Sequence, residues 1–210
     1  MIKLKRTTVM NLENAIRGSR NPMNSWGKSD SYYDEKGVFV VGPNDLDLAR
    51  RLVKAGSDHR KFLRQIFVSV DITAPLYWWK EYDTYKVGTT ANSCSTMHKI
   101  HSQEFGRDDF SHDRMDNDAL LMLDATIAYL ESERQKFLED KTNRQPWHNI
   151  IQSLPSSYNQ MRTCTLTYEN LLNQYHARKY HKLAEWHTYC DWIETLPYFK
   201  EICLDGDNNE

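Results

Sequence analysis

Between residues 90 and 98 the chain reads Thr90-Ala91-Asn92-Ser93-Cys94-Ser95-Thr96-Met97-His98, a run of hydroxyl, amide and thiol groups with little bulk. Such a run cannot build an apolar core. Its hydroxyls and backbone N–H groups can surround an anion such as a phosphate, which makes the run the first candidate for a site. An ordinary polar loop has the same composition. Just ahead lies an aromatic segment, Tyr77-Trp78-Trp79-Lys80-Glu81-Tyr82-Asp83-Thr84-Tyr85-Lys86. Trp78 and Trp79 could stack on a flat ligand, but rings this close together more often fill a core.

Other reactive types are less informative. His98 and His101 have a helical three-residue spacing, and His176, His181 and His187 fall late in the chain. No cysteine or carboxylate accompanies them at a metal-site spacing, so hydrogen-bonding or surface roles are expected and no metal. Cys94, Cys164, Cys190 and Cys203 are far apart with no C-x-x-C, which predicts four reduced thiols. Arg17 and Arg20 flank a long polar loop and could reach a phosphate, although exposed arginines without a ligand are commoner.

The composition narrows the function classes. With 27 basic and 29 acidic residues the formal charge is -2, so no global field attracts nucleic acid or an anionic membrane. No stretch reaches the roughly 20 apolar residues of a membrane span, and the first residues lack the apolar block of a secretion signal. A cytoplasmic protein of one domain, 1–210, is expected.

These residues need elements to hold them. The patterns predict a strand over Lys3 to Met10, a turn of helix over Leu12 to Arg17, and a loop from Gly18 to Ser31. Pro43-Asn44-Asp45 resembles a helix start, and the apolar face through Leu46, Leu48, Ala49, Leu52 and Val53 runs until Gly56. Gln65 to Ile72 alternates as a strand, after which Thr73 is expected to cap a helix with Pro75 in its first turn. A long helix is predicted from Asp113 to about Lys141, burying Leu120, Leu121, Leu123, Ile127, Leu130, Phe137 and Leu138. Helices over Trp147 to Leu154, Tyr168 to Tyr180 (capped by Thr167) and Leu183 to Leu196 follow, with a short strand at Thr163 to Leu166 and a frayed acidic tail, Asp205 to Glu210. Many helices with few, widely separated strands indicate an α+β domain.

In order, these landmarks resemble the flavin-dependent thymidylate synthases: the helix ending at Gly56, the Phe62 segment leading into Ile66-Phe67-Val68-Ser69-Val70, the Ala74-Pro75 helix start, and Asn92-x-x-Ser95. Pro155 to Arg178 matches the family's C-terminal block without a gap, including Leu171-Leu172-Asn173, and Ala184-Glu185-Trp186 resembles its Ala-Gln-Trp. The resemblance spans most of Asn44 to Trp186. It implies an α+β fold, a helix-flanked and mostly antiparallel sheet, assembled as a homotetramer with flavin sites between subunits. It also implies reductive methylation of dUMP or a related pyrimidine nucleotide, with FAD as cofactor, NADPH as reductant and methylenetetrahydrofolate as one-carbon donor.

Residue by residue, the resemblance gives Asn173 a flavin contact, with Asn92 and Lys86 as further cofactor ligands. Arg178 falls on the arginine that binds the uracil, and Ser95 on a serine near the dUMP phosphate, flanked by Thr90 and Thr96. Arg178 and Ser95 would thus be the catalytic pair. The family's Arg-His-Arg should lie near Tyr85-Lys86-Val87, and two further expected arginines are Met97 and Glu169, so at least three cationic contacts are absent. Lys86 is the remaining cation there, and it lacks the planar fork of an arginine. These departures leave a second reading, a non-catalytic nucleotide-binding or interaction protein that retains the fold.

Overall fold

The computed structural model describes residues 2–85 and 87–204. In chain order the elements are strand β1 (Lys3–Met10), helix α1 (Leu12–Gly18), strands β2 (Tyr32–Tyr33) and β3 (Phe39–Val40), helix α2 (Pro43–Lys54), strand β4 (Phe67–Pro75) and helix α3 (Leu76–Tyr82). Strand β5 (Thr90–Ser93) and helices α4 (Thr96–Lys99), α5 (Asn117–Glu139) and α6 (Gln145–Ser153) follow. Strand β6 (Asn159–Thr167) and helices α7 (Tyr168–Arg178), α8 (Ala184–Glu194) and α9 (Phe199–Cys203) close the series.

Four strands form one sheet in the order β1-β4-β6-β5, and β2 pairs antiparallel with β3. Along β4 and β6, Asp71 bonds Thr163 and Ser69 bonds Thr165. Each step forward on one strand is a step backward on the other, so this central pair is antiparallel. The fold is therefore α+β, a helix-flanked and mostly antiparallel sheet. The chain clusters into two compact units, one of Met1–Lys5, Asp71–Thr84 and Ala91–Thr163, the other of Arg6–Val70, Tyr85–Thr90 and Cys164–Glu210.

Period-two burial explains β4. Val68, Val70, Ile72 and Ala74 are fully buried while the residues between them are not. That alternation continues past Ile72, which overturns the expected helix cap at Thr73: the strand runs to Pro75 and α3 begins at Leu76. The first N–H groups of α3 are satisfied by carbonyls instead, Leu76 on Tyr158 and Tyr77 on Ser156, both at 3.0 Å. Gly56 does end the preceding helical stretch; its φ of 97° is a left-handed conformation that costs a glycine little.

In the first unit α5 packs on α6, and Leu123, Leu130 and Ile150 join Ile100, Phe105 and Phe110 in one core. Asp116 starts α5 by accepting from the Ala119 N–H at 2.9 Å. Leu123, Leu130 and Phe137 recur every seven residues and are buried. Leu121 is 67% exposed, because two residues of helix turn it to the opposite side, so it and the exposed Leu138 correct the predicted buried face.

In the second unit Thr167 caps α7 as expected, with Asn170 completing a reciprocal capping box. Helix α9 was not legible in the sequence pattern. It follows the break at Pro197 and buries Phe199, Ile202 and Cys203, while Arg50 on α2 donates to the Glu201 carbonyl at 2.7 Å. The predicted acidic tail, Asp205 to Glu210, lies outside the described residues.

Candidate functional site

Helix α7 carries two of the anticipated ligand residues, and the local bonds around it explain their placement. The Asn170 side-chain N–H donates to the Val87 carbonyl at 2.8 Å. Gly88 sits so close to this amide that a Cβ there would approach Asn170 Oδ1 to 3.0 Å, and its φ is 76°. A glycine takes this left-handed conformation at little cost and leaves the amide uncrowded. Val87, the last residue of the stretch in which an Arg-His-Arg is expected, is thereby held against the start of α7.

At the far end of the helix, Arg178 Nε donates to the Tyr85 phenol oxygen at 2.9 Å. The guanidinium carbon lies 5.4 Å from the centroid of the Tyr85 ring and 5.0 Å from that of Trp186. The two rings meet edge to face at 6.1 Å. A half-buried cation between aromatic rings is oriented by its quadrupole contacts as well as by the hydrogen bond. Lys86, the expected cation between Tyr85 and Val87, lies outside the described residues.

Asn173 is exposed on the same helix, and its Oδ1 accepts from Arg60 Nη2 at 3.2 Å. Arg60 also pairs with Glu169, 3.1 Å from Nε to Oε2 and 3.2 Å to Oε1. The carboxylate that replaces an anticipated arginine therefore recruits an arginine from 109 residues away. Sequence reasoning missed Arg60, whose only signal was its place just ahead of Phe62. Holding Asn173 by its oxygen leaves its amide N–H groups as donors on the exposed face of the helix.

The polar run belongs to the first unit from Ala91 onward, while Thr90 belongs to the second. It is not a plain turn. Residues 90–93 form the exposed end strand β5, and Cys94 continues the pairing through its N–H to the Met161 carbonyl at 2.9 Å. A strand whose side chains are all exposed shows no alternation to read. Ser95 then starts α4, its Oγ accepting from the His98 N–H at 3.0 Å.

A cavity of about 440 Å³ opens beside this run, with Cys94, Ser95, Thr96, Lys99, Tyr158 and Gln160 in its wall. Asn92 is exposed on β5 and is not in that wall, and Met97 uses its carbonyl to accept from the Trp147 indole N–H at 3.0 Å. Burial, with Asp109 and Cys94 nearby, pushes the Tyr158 phenol above its ordinary value, which keeps it a neutral donor.

Arg162 is a second cation that the sequence patterns did not single out. It pairs with Asp83 at 2.7 Å, lies 4.1 Å from the Trp79 ring centroid, and donates to Gln160 Oε1 at 3.0 Å. Gln160 in turn donates to the Cys94 carbonyl at 2.8 Å and accepts the Trp79 indole N–H on its own carbonyl at 2.9 Å. The aromatic segment is thus tied to the cavity wall. Trp78 and Trp79 are buried packing residues at 0% and 1% exposure. Among the described residues no group of three or more His, Cys, Asp or Glu could hold a metal ion.

No protein-family model matches the chain, and no curated protein matches it. Solved structures do. Thymidylate synthase X (ThyX) from Helicobacter pylori with FAD and dUMP has a TM-score of 0.70 at 16% identity, covering 97% of this chain and 96% of that one. A second structure of the flavin-dependent thymidylate synthase ThyX from Helicobacter pylori, complexed with FAD and dUMP, gives the same score and identity and covers 97% of both chains. The chain has the fold of a flavin-dependent thymidylate synthase.

Proposed function

We propose that this protein binds FAD and a pyrimidine nucleotide, dUMP or a close relative, and catalyses reductive methylation of the base. The observation that carries the reading is the near end-to-end likeness to chains solved with those two ligands. One template covering almost the whole chain also supports reading 1–210 as a single domain.

The donors on α7, with Arg60 paired to its first turn, fit a flat ligand with polar edges and an anionic group. The Asn173 amide, the Arg60 guanidinium and the Arg178 guanidinium with its two rings offer planar hydrogen-bonding and stacking surfaces. When bound, reduced FAD would supply the hydride, NADPH would re-reduce the flavin, and methylenetetrahydrofolate would supply the one-carbon group. The chain's own work is positioning: Asn173 and Arg60 hold the cofactor, and Arg178 donates to a pyrimidine carbonyl. Ser95, Thr96 and Thr90 contact the phosphate, with Asn92 and Lys86 as additional ligands. Net chemistry replaces the C5 proton of the base by a methyl group, so the proton leaves to solvent.

A homotetramer fits one feature of the first unit. Leu121, Met122 and Tyr129 are exposed apolar residues on one side of α5, the kind of surface that a second copy covers.

The test is spectroscopic first. Concentrated protein, as purified or after incubation with FAD, should absorb in the visible and gain thermal stability with dUMP, and dUMP tritiated at C5 should release tritium to water. A colourless protein with no flavin uptake and no dUMP shift ends the proposal. The charge-matched Arg60–Glu169 pair favours the second reading, in which ligands bind without turnover. Flavin and dUMP binding with no tritium release would select it.

A further inference from the structure

Arg20 stands apart from both ligand regions described above. It is 4% exposed, its Nε is held by Asp45 at 2.5 Å, and its buried Nη2 has no hydrogen-bond partner. A buried guanidinium N–H without an acceptor is costly. Arg20 lies in the wall of a second cavity, about 680 Å³, within the second unit.

The wall of this cavity is a donor surface. Arg17 is exposed in it and has no acidic partner among the described residues, donating only to Asn14 Oδ1 at 2.7 Å. Asn14 passes the polarity on to Asn11 Oδ1 at 2.8 Å, and Asn11 donates to the Gln65 carbonyl at 2.9 Å. The Trp26 indole N–H occupies Asn21 Oδ1 at 2.9 Å. The wall's amide oxygens at 11, 14 and 21 thus accept from neighbours, and no carboxylate lines the space. Asp45 behind it is saturated by Ser29, Ser31 and Arg20. Burial raises its carboxyl, but those hydrogen bonds outweigh burial and hold it below the usual range, so the charge that fixes Arg20 persists at neutral pH.

Trp26 is 52% exposed at this wall with its ring fixed through Asn21. Two guanidinium groups, donor amides and a fixed indole suit a phosphate carried on a flat ring system, and the volume is in the range of small-molecule sites. We propose that this cavity is a further ligand site, taking the phosphate of a nucleotide on Arg17 and Arg20 with the base against Trp26. The inference does not rest on the α7 reading.

Calorimetric titration of the full chain at low salt, with AMP and with inorganic phosphate, tests it. AMP should bind more tightly than phosphate, and Arg17→Met should weaken AMP by about tenfold or more, as expected for a lost charged hydrogen bond. Trp26→Ala should erase the advantage of AMP over phosphate, while Asn173→Ala should leave AMP binding intact. Both main variants alter exposed side chains, so folding is preserved where Arg20→Met would release Asp45. Absence of AMP heat at millimolar concentration, equal affinity for AMP and phosphate, or loss of binding in Asn173→Ala but not Arg17→Met would each overturn the assignment. Flavin uptake measured on the same variants separates this result from the fate of the α7 proposal.

Discussion

The Tyr85 phenol oxygen accepts from Arg178 Nε at 2.9 Å, so the aromatic residue that stands where a cation is expected orients the late arginine rather than replacing it. If the arginine reads a pyrimidine carbonyl, its plane must be set before the ligand arrives, and the phenol sets it. Arg178→Lys should weaken dUMP binding by about tenfold to a hundredfold, the usual range for a charged hydrogen bond, measured by calorimetry. Tyr85→Phe keeps the ring and loses the bond, so it should fall between wild type and Arg178→Lys. Unchanged dUMP affinity in Arg178→Lys would remove Arg178 from the site.

Arg60 and Glu169 give a double-mutant test. Their side chains are 20% and 11% exposed, so removing one partner strands a largely buried charge. Arg60→Met should cost about 2–3 kcal/mol, somewhat less than for a fully buried pair, lowering the melting temperature by roughly 5–10 °C. Arg60→Met with Glu169→Met should recover most of that loss. Additive losses in the double variant would mean that the two residues are not coupled.

Acid stability in the first unit should depend on Glu131. Arg134 grips this carboxylate at 2.6 and 2.8 Å, and despite burial its hydrogen bonds, with those from Gln135 and the Phe105 N–H, hold it down at about 2 against an ordinary 4.5. A depressed carboxyl stabilises the fold above its unfolded value, and that stabilisation disappears as pH falls from about 4.5 toward about 2. The full effect is at most roughly 3 kcal/mol. Chemical denaturation at pH 7 and pH 3 should give a smaller pH difference for Glu131→Gln than for wild type.

Thiol chemistry should find one cysteine in the native protein. Cys94 is exposed, whereas Cys164 is fully buried, burial pushes the Cys190 thiol up to about 11, with Asp191 and Glu194 adding to it, and burial raises Cys203 further still. An aromatic disulfide reagent should titrate one fast thiol natively and four in denaturant. Because Cys94 lines the 440 Å³ cavity, dUMP should slow that one reaction if the phosphate sits there. Two or more fast native thiols would contradict the packing of β6, α8 or α9.

The face of α5 makes a prediction about assembly. Leu121→Glu and Met122→Glu place charges on apolar positions that are 67% and 68% exposed. Light scattering should report a smaller oligomer for the pair of substitutions with little change in monomer stability. An unchanged mass would move the interface elsewhere.

Local physics made much of this protein readable in its sequence. Alternation fixed β4 to within a few residues, Thr167 announced α7, and Gly56 marked the end of a helix, because each rule acts over neighbouring residues. Where a local rule competed with a longer one it failed: Thr73 is a good cap, yet the buried alternation carried it into the strand. The same holds for Leu121, since a list of apolar residues does not say which side of a helix has a partner. The site followed this division. Asn173 and Arg178 were singled out through the family resemblance, on one predicted helix, but Arg60 comes to Glu169 across 109 residues, Tyr85 to Arg178 across 93, and Arg162 to Asp83 across 79. Charges and rings choose partners by distance in space, and only the folding of the sheet and its helices brings such pairs within reach of one another.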